Sequence, residues 1–344
     1  MEKIKTLLIE DSGLMRIMIS DSLRSDPEIE VIGTANNGWE GVRKVRALHP
    51  DVVVTDMIMP EYDGLYAVKN IMKDSPTPII LLSSLDRANP EIFDALNAGA
   101  FDFVDKPQTK DADDFKGALG TLKQRIRAAV ALNSDVLGKV VDKTNHHFHS
   151  FDGVLQYEVL TIGASTGGPS AIESILAQLP SNLAIPVVIV QHMPKRFLTS
   201  YTERLSSILP LKVKLATHCE ELTPGTIYIA PGDGNMMVKA NRHGNPHFQY
   251  TKKEYKEFNH PSIDCMFESI ASLYGAKAIG VILTGMGKDG SQGLLQIKKK
   301  GGLTVAQEGK SCVVNGMPQA SVDIGAAGHV MKLGVIPGFI VSCF

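Results

Sequence analysis

The chain has 344 residues, a length that suits two domains better than one, because single hydrophobic cores rarely grow beyond roughly 250 to 300 residues. Its formal net charge of -2 argues against the basic field of a nucleic-acid binder. Four cysteines without a CxxC spacing, and apolar runs far short of the ~20 residues that span a bilayer, predict a cytoplasmic protein without membrane insertion.

The first part of the chain alternates short aliphatic runs with longer amphipathic stretches, which is typical of βα units around a parallel sheet. Five such units predict a doubly wound (βα)5 domain over residues 1–125. The predicted strands cover residues 5–9, 30–35, 52–55, 79–82 and 101–104, and a last helix covers about 113–132.

Polar side chains follow several of these strands. Glu10 and Asp11 end the first strand and Asp56 ends the third, so their carboxylates should meet at the carboxyl edge of the sheet. Carboxylates there suit Mg²⁺, which could let Asp56 attack an incoming phosphoryl group by screening like charge. Ser83 and Lys106 add a hydroxyl and a cation at the same edge.

The motifs that carry these residues closely resemble the response-regulator receiver domain over roughly residues 3–125. The resemblance implies that Asp56 is the phospho-acceptor, and that Mg²⁺ is held by Glu10, Asp11, Asp56 and the carbonyl of Ile58. It also implies a switch formed by Ser83, Phe103 and Lys106. One departure is Glu10-Asp11, where the family commonly has two aspartates. The matching segments are Ile9-Glu-Asp-Ser, Thr55-Asp-Met-Ile-Met-Pro-Glu-Tyr-Asp-Gly, Leu82-Ser-Ser and Asp105-Lys-Pro.

Apolar periodicity stops after the last helix of this half, so residues 126–152 are interpreted as a linker. His146, His147 and His149 fall in it, without a carboxylate or cysteine at a coordinating spacing nearby. A solvated linker is favoured, with a metal site as the alternative.

A second βα series fills residues 153–344 and predicts a doubly wound, mostly parallel α/β domain. Its predicted strands include 158–162, 186–190 and 278–283. Two alternating runs on either side of Pro231-Gly-Asp-Gly predict a β-hairpin inserted into this domain.

A G-x-S-x-G pattern, Gly163-Ala-Ser-Thr-Gly, lies between a predicted strand and a predicted helix. This context favours a turn that exposes the Ser165 hydroxyl, with a phosphate-binding glycine turn as the alternative. His192 and Asp289 follow other strands, so they should reach the same sheet edge as base and orienting carboxylate.

Five further motifs make this half resemble the chemotaxis methylesterase family CheB, and with the receiver the resemblance covers nearly the whole chain. It implies Ser165 as nucleophile, His192 as general base, Asp289 as its orienter, and Thr166 and Met286 as oxyanion positions. It also implies chemoreceptors as substrates, with glutamate γ-methyl esters hydrolysed and glutamines deamidated, a chemotaxis histidine kinase as partner, and no cofactor for ester hydrolysis. The motifs are Gly163-Ala-Ser-Thr-Gly-Gly-Pro, Gln191-His-Met-Pro, Tyr228-Ile-Ala-Pro-Gly-Asp, Pro261-Ser-Ile-Asp and Leu283-Thr-Gly-Met-Gly-Lys-Asp-Gly.

Alternative functional hypotheses make different predictions. A general small-ester hydrolase would use the same three residues but turn over isolated alkyl esters equally well. A DNA-binding response regulator fits poorly, because the C-terminal half has βα alternation and no clustered basic recognition helix. A thiol site at His218-Cys219 is disfavoured, because neighbours on a strand face opposite sides. We also expect the receiver to restrain the esterase until it is phosphorylated.

Overall fold

The computed structural model describes residues 2–83, 91–106, 112–130, 156–255, 257 and 260–343. The chain divides into two compact units, residues 1–143 and 144–344. Most of the predicted linker, including its three histidines, lies outside the described residues.

The first unit contains one parallel sheet of five strands in the order β2-β1-β3-β4-β5. The predicted (βα)5 architecture is confirmed, and every predicted strand is present with ends shifted by at most one residue. The strands are β1 Ile4–Ile9, β2 Ile29–Ala35, β3 Val52–Asp56, β4 Ile79–Ser83 and β5 Asp102–Asp105. The helices are α1 Gly13–Arg24, α2 Gly38–Leu48, α3 Gly64–Asp74, α4 Glu91–Asn97 and α5 Ala112–Val130.

Side-chain caps fix where the helices begin after the strand ends. Asn37 Oδ1 accepts from the backbone N–H of Glu40 at 2.9 Å, and Asp63 Oδ1 accepts from that of Tyr66 at 2.7 Å. Such caps pair N–H groups that have no partner inside the helix. Strands β3 and β4 are buried along their whole length, so their last residues, Asp56 and Ser83, are held rigidly at the sheet edge.

The second unit contains a parallel sheet of seven strands in the order β14-β13-β12-β6-β7-β9-β8, and a separate two-stranded hairpin, β10-β11. The strands are β6 Val159–Ala164, β7 Val187–Gln191, β8 Lys212–Leu215, β9 Thr226–Ile229, β10 Asn235–Ala240, β11 Pro246–Thr251, β12 Ala278–Ile282, β13 Leu303–Gln307 and β14 His329–Met331. The helices are α6 Gly168–Leu176, α7 Lys195–Ile208, α8 Ile263–Tyr274, α9 Ser291–Lys299, α10 Gly316–Asp323 and α11 Ile336–Ser342. The predicted parallel α/β domain with an inserted hairpin is confirmed.

The hairpin is present, but its predicted position around Pro231-Gly-Asp-Gly is wrong. The run before that turn forms β9, which joins the large sheet between β7 and β8. All four residues of β9 are buried, so it gains more from two parallel neighbours than from an exposed hairpin. The run after the turn, β10, pairs instead with β11, and the chain reverses at residues 241–245.

His218 and Cys219 lie in a turn after β8, so the expectation that they occupy a strand is also wrong. Cys219 has a positive φ of 63° there. Across the described residues, no helix is both long and apolar enough to cross a bilayer.

Candidate functional sites

The acidic residues of the first unit meet at the carboxyl edge of its sheet. One ligand atom from each of Glu10, Asp11 and Asp56 lies within 4.8 Å of the others. Glu10 and Asp56 are buried, whereas Asp11 is exposed. Three carboxylates at this separation, one of them open to solvent, are a donor set that fits Mg²⁺ with water and phosphate oxygens completing its shell. The longer Glu10 side chain therefore does reach the cluster.

Lys106 lies among these carboxylates. Its Nζ lies 2.8 Å from Glu10 Oε2 and also forms an ion pair with Asp56. Burial raises the pKa of Glu10 to about 6, although the hydrogen bond from Lys106 opposes that rise. Burial likewise raises the pKa of Asp56. Burial opposes the charge on Lys106, but its bonds to the two carboxylates prevail and raise its pKa. The site thus concentrates negative charge that a cation would stabilise.

The remaining residues of the predicted switch flank this cluster on β4 and β5. Ser83 is buried, and its hydroxyl has no hydrogen-bond partner among the described residues. Its carbonyl accepts from the backbone N–H of Lys106 at 2.8 Å, which ties the ends of the two strands together. Phe103 is half-buried on β5, and Ile58, whose N–H donates to Asp56 Oδ1 at 3.2 Å, is exposed.

In the second unit, Ser165 directly follows β6 and precedes α6, as the G-x-S-x-G context predicts. Gly167, which lies between Ser165 and the start of α6, has φ +75°. A Cβ there would lie 2.5 Å from Val313, so the turn requires glycine. The Ser165 backbone N–H donates to the Thr284 carbonyl at 3.0 Å. The turn that carries Ser165 is therefore held between neighbouring strands.

His192 follows β7, whose last residue pairs with the last residue of β6. The His192 backbone N–H donates to the Ala164 carbonyl at 3.0 Å, which places the histidine beside the serine turn. Its ring Nε2 lies 2.8 Å from Asp289 Oδ2. With Nε2 donating to that carboxylate, Nδ1 is left as the acceptor that a serine hydroxyl needs. Within the described residues, Ser165 Oγ makes no hydrogen bond to His192; such bonds often form only with substrate present.

Asp289 is almost fully buried, and its carboxylate also caps helix α8. Its oxygens accept from the backbone N–H groups of Ile263 (2.7 Å) and Asp264 (3.0 Å), and from Ser262 Oγ (3.2 Å). Burial disfavours the charge, but His192 and these N–H groups outweigh it and lower the pKa of Asp289. An ionised carboxylate is the state that can orient an imidazole and stabilise it once protonated.

The predicted oxyanion positions lie on the turns beside Ser165. Thr166 is buried, and its carbonyl accepts from Thr284 Oγ1 at 2.9 Å. Met286 is 36% exposed, and its backbone N–H donates to no described residue. A donor left open at this edge is what a developing oxyanion requires.

Sequence reasoning missed several residues that hold the site. Thr284 joins the Ser165 and Thr166 backbones, Gln191 contacts the Ser165 carbonyl, and Ser262 and Asp264 contact Asp289. Each lies inside a motif that the resemblance singled out, so their position was a usable signal. Their hydrogen bonds depend on the order of strands in the sheet, which the motifs do not state.

Together the fold and the two sites define a class: a receiver-type unit with a pocket of three carboxylates, carried in one chain with an α/β unit of the serine-hydrolase type. Comparison with known families agrees. Residues 6–114 match the response regulator receiver domain, and residues 160–340 match the CheB methylesterase family. The chain belongs to the CheB methylesterase family.

Similar proteins cover nearly the whole chain. It is 37% identical to a protein-glutamate methylesterase/protein-glutamine glutaminase of Desulfitobacterium hafniense, over 99% of this chain and 97% of the relative. It is also 37% identical to the protein of that name from Thermotoga maritima, over 98% of each. The crystal structure of the Thermotoga maritima CheB methylesterase catalytic domain superposes with a TM-score of 0.53 and 39% identity, covering 55% of this chain and 100% of that domain.

Proposed function

We propose that this protein hydrolyses γ-methyl esters of glutamate on chemoreceptors, releasing methanol, and also deamidates receptor glutamines. The observation that carries the proposal is the His192–Asp289 hydrogen bond beside the Ser165 turn, with Asp289 kept ionised by His192 and by the backbone N–H groups at the start of α8. Relatives that span nearly the whole chain bear the name of both activities. That agreement favours a nucleophile turn over a phosphate-binding one.

The reaction proceeds by acyl transfer. Ser165 Oγ attacks the side-chain carbonyl carbon while its proton passes to His192 Nδ1, and Asp289 stabilises the imidazolium. Backbone N–H groups at Thr166 and Met286 donate hydrogen bonds that stabilise the negative charge developing on the carbonyl oxygen. Collapse of the tetrahedral intermediate breaks the bond to the methoxy group, which leaves as methanol with the proton from His192. Water activated by the same histidine then releases the free glutamate; with glutamine the first leaving group is ammonia.

The first unit controls this activity through Asp56. Its carboxylate oxygen attacks the phosphorus atom of a phosphohistidine on a chemotaxis histidine kinase, and the phosphorus–nitrogen bond breaks so that the kinase imidazole leaves. Glu10, Asp11, Asp56 and the Ile58 carbonyl would hold Mg²⁺, which screens the charge between carboxylate and phosphoryl group. Lys106 then pairs with the phosphoryl oxygens, and Ser83 and Phe103 rearrange with it as the switch.

The cytoplasm is the compartment we propose for this reaction. All four cysteines are free thiols, which suits a reducing environment. A chemoreceptor that this enzyme modifies must therefore present its ester-bearing segment on the cytoplasmic side.

Methanol release from membranes carrying methylated chemoreceptors tests the proposal. The wild-type chain should release methanol, and Ser165→Ala should not. The same pair of proteins is offered small alkyl esters in parallel. Equal turnover of both substrates would favour a general ester hydrolase, and no turnover of receptor esters would refute the proposed substrate.

A further inference from the structure

Gln191, the last residue of β7, is buried between the serine turn and His192. Its Nε2 donates to the Ser165 carbonyl at 2.9 Å and to the His192 carbonyl at 3.2 Å. Because both partners are acceptors, the amide nitrogen must be the end that faces them. One side chain therefore joins the backbones of the proposed nucleophile and the proposed base.

The other end of the carboxamide carries a cost. Gln191 Oε1 is buried and has no hydrogen-bond partner among the described residues. A buried acceptor without a partner is unfavourable, and an apolar side chain of similar length would fill the space without that cost. Packing alone thus does not account for a glutamine at this position, whereas its two donated bonds do.

The start of α6 leaves room for this carboxamide. A Cβ on Gly168 would lie 2.0 Å from Gln191 Oε1, closer than atoms can approach. The helix that follows the nucleophile turn is therefore shaped around Gln191. Gly168 N also donates to the Ser165 carbonyl at 2.8 Å, so that carbonyl is held from two sides.

We propose that Gln191 is a positioning residue that sets the distance and orientation between Ser165 and His192 through its bonds to both backbone carbonyls. The inference rests on the proposed function, in which Ser165 attacks and His192 takes its proton. It follows from the geometry because no direct bond between the two side chains holds them in the part of the chain that is described. The His192 N–H to Ala164 carbonyl bond fixes one side of the turn, and Gln191 fixes the other.

The test uses the full-length chain with Gln191→Met, which keeps the length of the side chain and removes its donors. We expect kcat for methanol release to fall roughly 10- to 100-fold, since small misplacements of reacting groups cost about that much. KM should stay within about twofold, because the substrate surface is unchanged. Covalent labelling of Ser165 by phenylmethanesulfonyl fluoride should slow by a similar factor.

Thr161→Val is the matched control. Thr161 Oγ1 donates to the Val188 carbonyl at 3.1 Å, so this variant also removes a buried side-chain bond between β6 and β7, but away from the site. Its kcat should stay within about twofold of wild type, measured at a temperature where both proteins are folded. A loss in Gln191→Met no larger than in Thr161→Val, or a loss entirely in KM, would overturn the positioning role.

If Gln191→Met does not fold, Gln191→Asn serves instead. It is smaller and keeps an amide, but it is one methylene too short to reach both carbonyls. Its kcat should also fall, and wild-type kcat in this variant would overturn the inference. An inactive Ser165→Ala with an unimpaired Gln191→Met would refute the positioning role alone. An active Ser165→Ala would refute the proposed function and this inference with it.

Discussion

Asp264 donates its backbone N–H to Asp289 Oδ1 at 3.0 Å, so these two aspartates are in contact at the N-terminus of α8. The Asp264 side chain in turn accepts from the Gly293 N–H in the first turn of α9, at 2.7 Å. Each helix start is thus capped by a carboxyl group carried by the other segment, which binds α8 and α9 together around Asp289.

This arrangement predicts a pH effect on stability. Burial, and then repulsion from Asp289 and Glu268, raise the pKa of Asp264 to about 7. In the unfolded chain the pKa is about 3.9, so between roughly pH 4 and 7 the native state binds more protons. The contribution of Asp264 is therefore complete below pH 4 and is lost as pH rises towards 7, by at most about 1.4 kcal/mol per pH unit.

Calorimetry at several pH values checks this expectation with Asp264→Asn, which keeps the acceptor for Gly293 and cannot ionise. The stability of wild type relative to this variant should fall from pH 4 to pH 7. Trp39, the single tryptophan, lies in the receiver unit, so its fluorescence identifies the unfolding transition of that unit. A second calorimetric transition then belongs to the esterase unit. A difference that stays flat with pH would show that Asp264 is ionised throughout.

Removing residues of the proposed triad should abolish methanol release. Ser165→Ala is expected to lower the rate of methanol release on the order of 10³- to 10⁶-fold. His192→Ala and Asp289→Ala should also lower that rate steeply. Their effects should not add to that of Ser165→Ala, because the three act as one unit. Glu158→Gln is the control, since it changes an exposed carboxylate at the opposite end of β6 from Ser165. Additive losses in the double variants would contradict a shared mechanism.

Asp56 should take up a phosphoryl group from a small phosphodonor only when Mg²⁺ is present. The label should be acid-stable but labile to base and to hydroxylamine, as an acyl phosphate is. Asp56→Asn should remain unlabelled, whereas Asp51→Asn, which changes an exposed carboxylate at the opposite end of β3, should label normally. Label retained in Asp56→Asn would assign the acceptor to another residue.

Glu10→Asp tests the departure from the commoner pair of aspartates. Shortening the side chain should keep Mg²⁺ binding but change its affinity, because Glu10 also accepts from Lys106 and from the Ser12 N–H. The Mg²⁺ affinity of wild type and of the variant is measured by following receiver fluorescence as Mg²⁺ is added. Loss of labelling together with unchanged Mg²⁺ affinity would show that Glu10 acts on the phosphoryl transfer and does not bind the metal.

The receiver should restrain the esterase until Asp56 is phosphorylated. Each ~1.4 kcal/mol that phosphorylation adds in favour of the active state raises its population ratio tenfold. A fragment beginning near residue 151 should therefore release methanol faster than the unphosphorylated full-length protein. A fragment that is no faster would mean that the receiver activates the esterase or brings it to receptors.

The sequence by itself determined the two α/β units, the five strands of the first, three parallel strands of the second and the strand-end positions of the candidate site residues. Alternation of aliphatic runs and amphipathic stretches encodes which backbone is buried, and burial is a local property that a single chain displays. Ser165, His192 and Asp289 were named because parallel strands bring their carboxyl ends to one edge.

Only the tertiary structure decided which segments pair and which atoms meet. The sequence placed a hairpin at Pro231, but β9 joins the large sheet because that position buries both of its faces, and β10 finds β11 instead. Asp289 lies 97 residues from His192, and its carboxylate is kept charged by His192 and by backbone N–H groups at the start of α8, contacts that motif spacing does not reveal. Such contacts depend on strand order and on competition between alternative partners, and those free energies are settled only when the whole core packs.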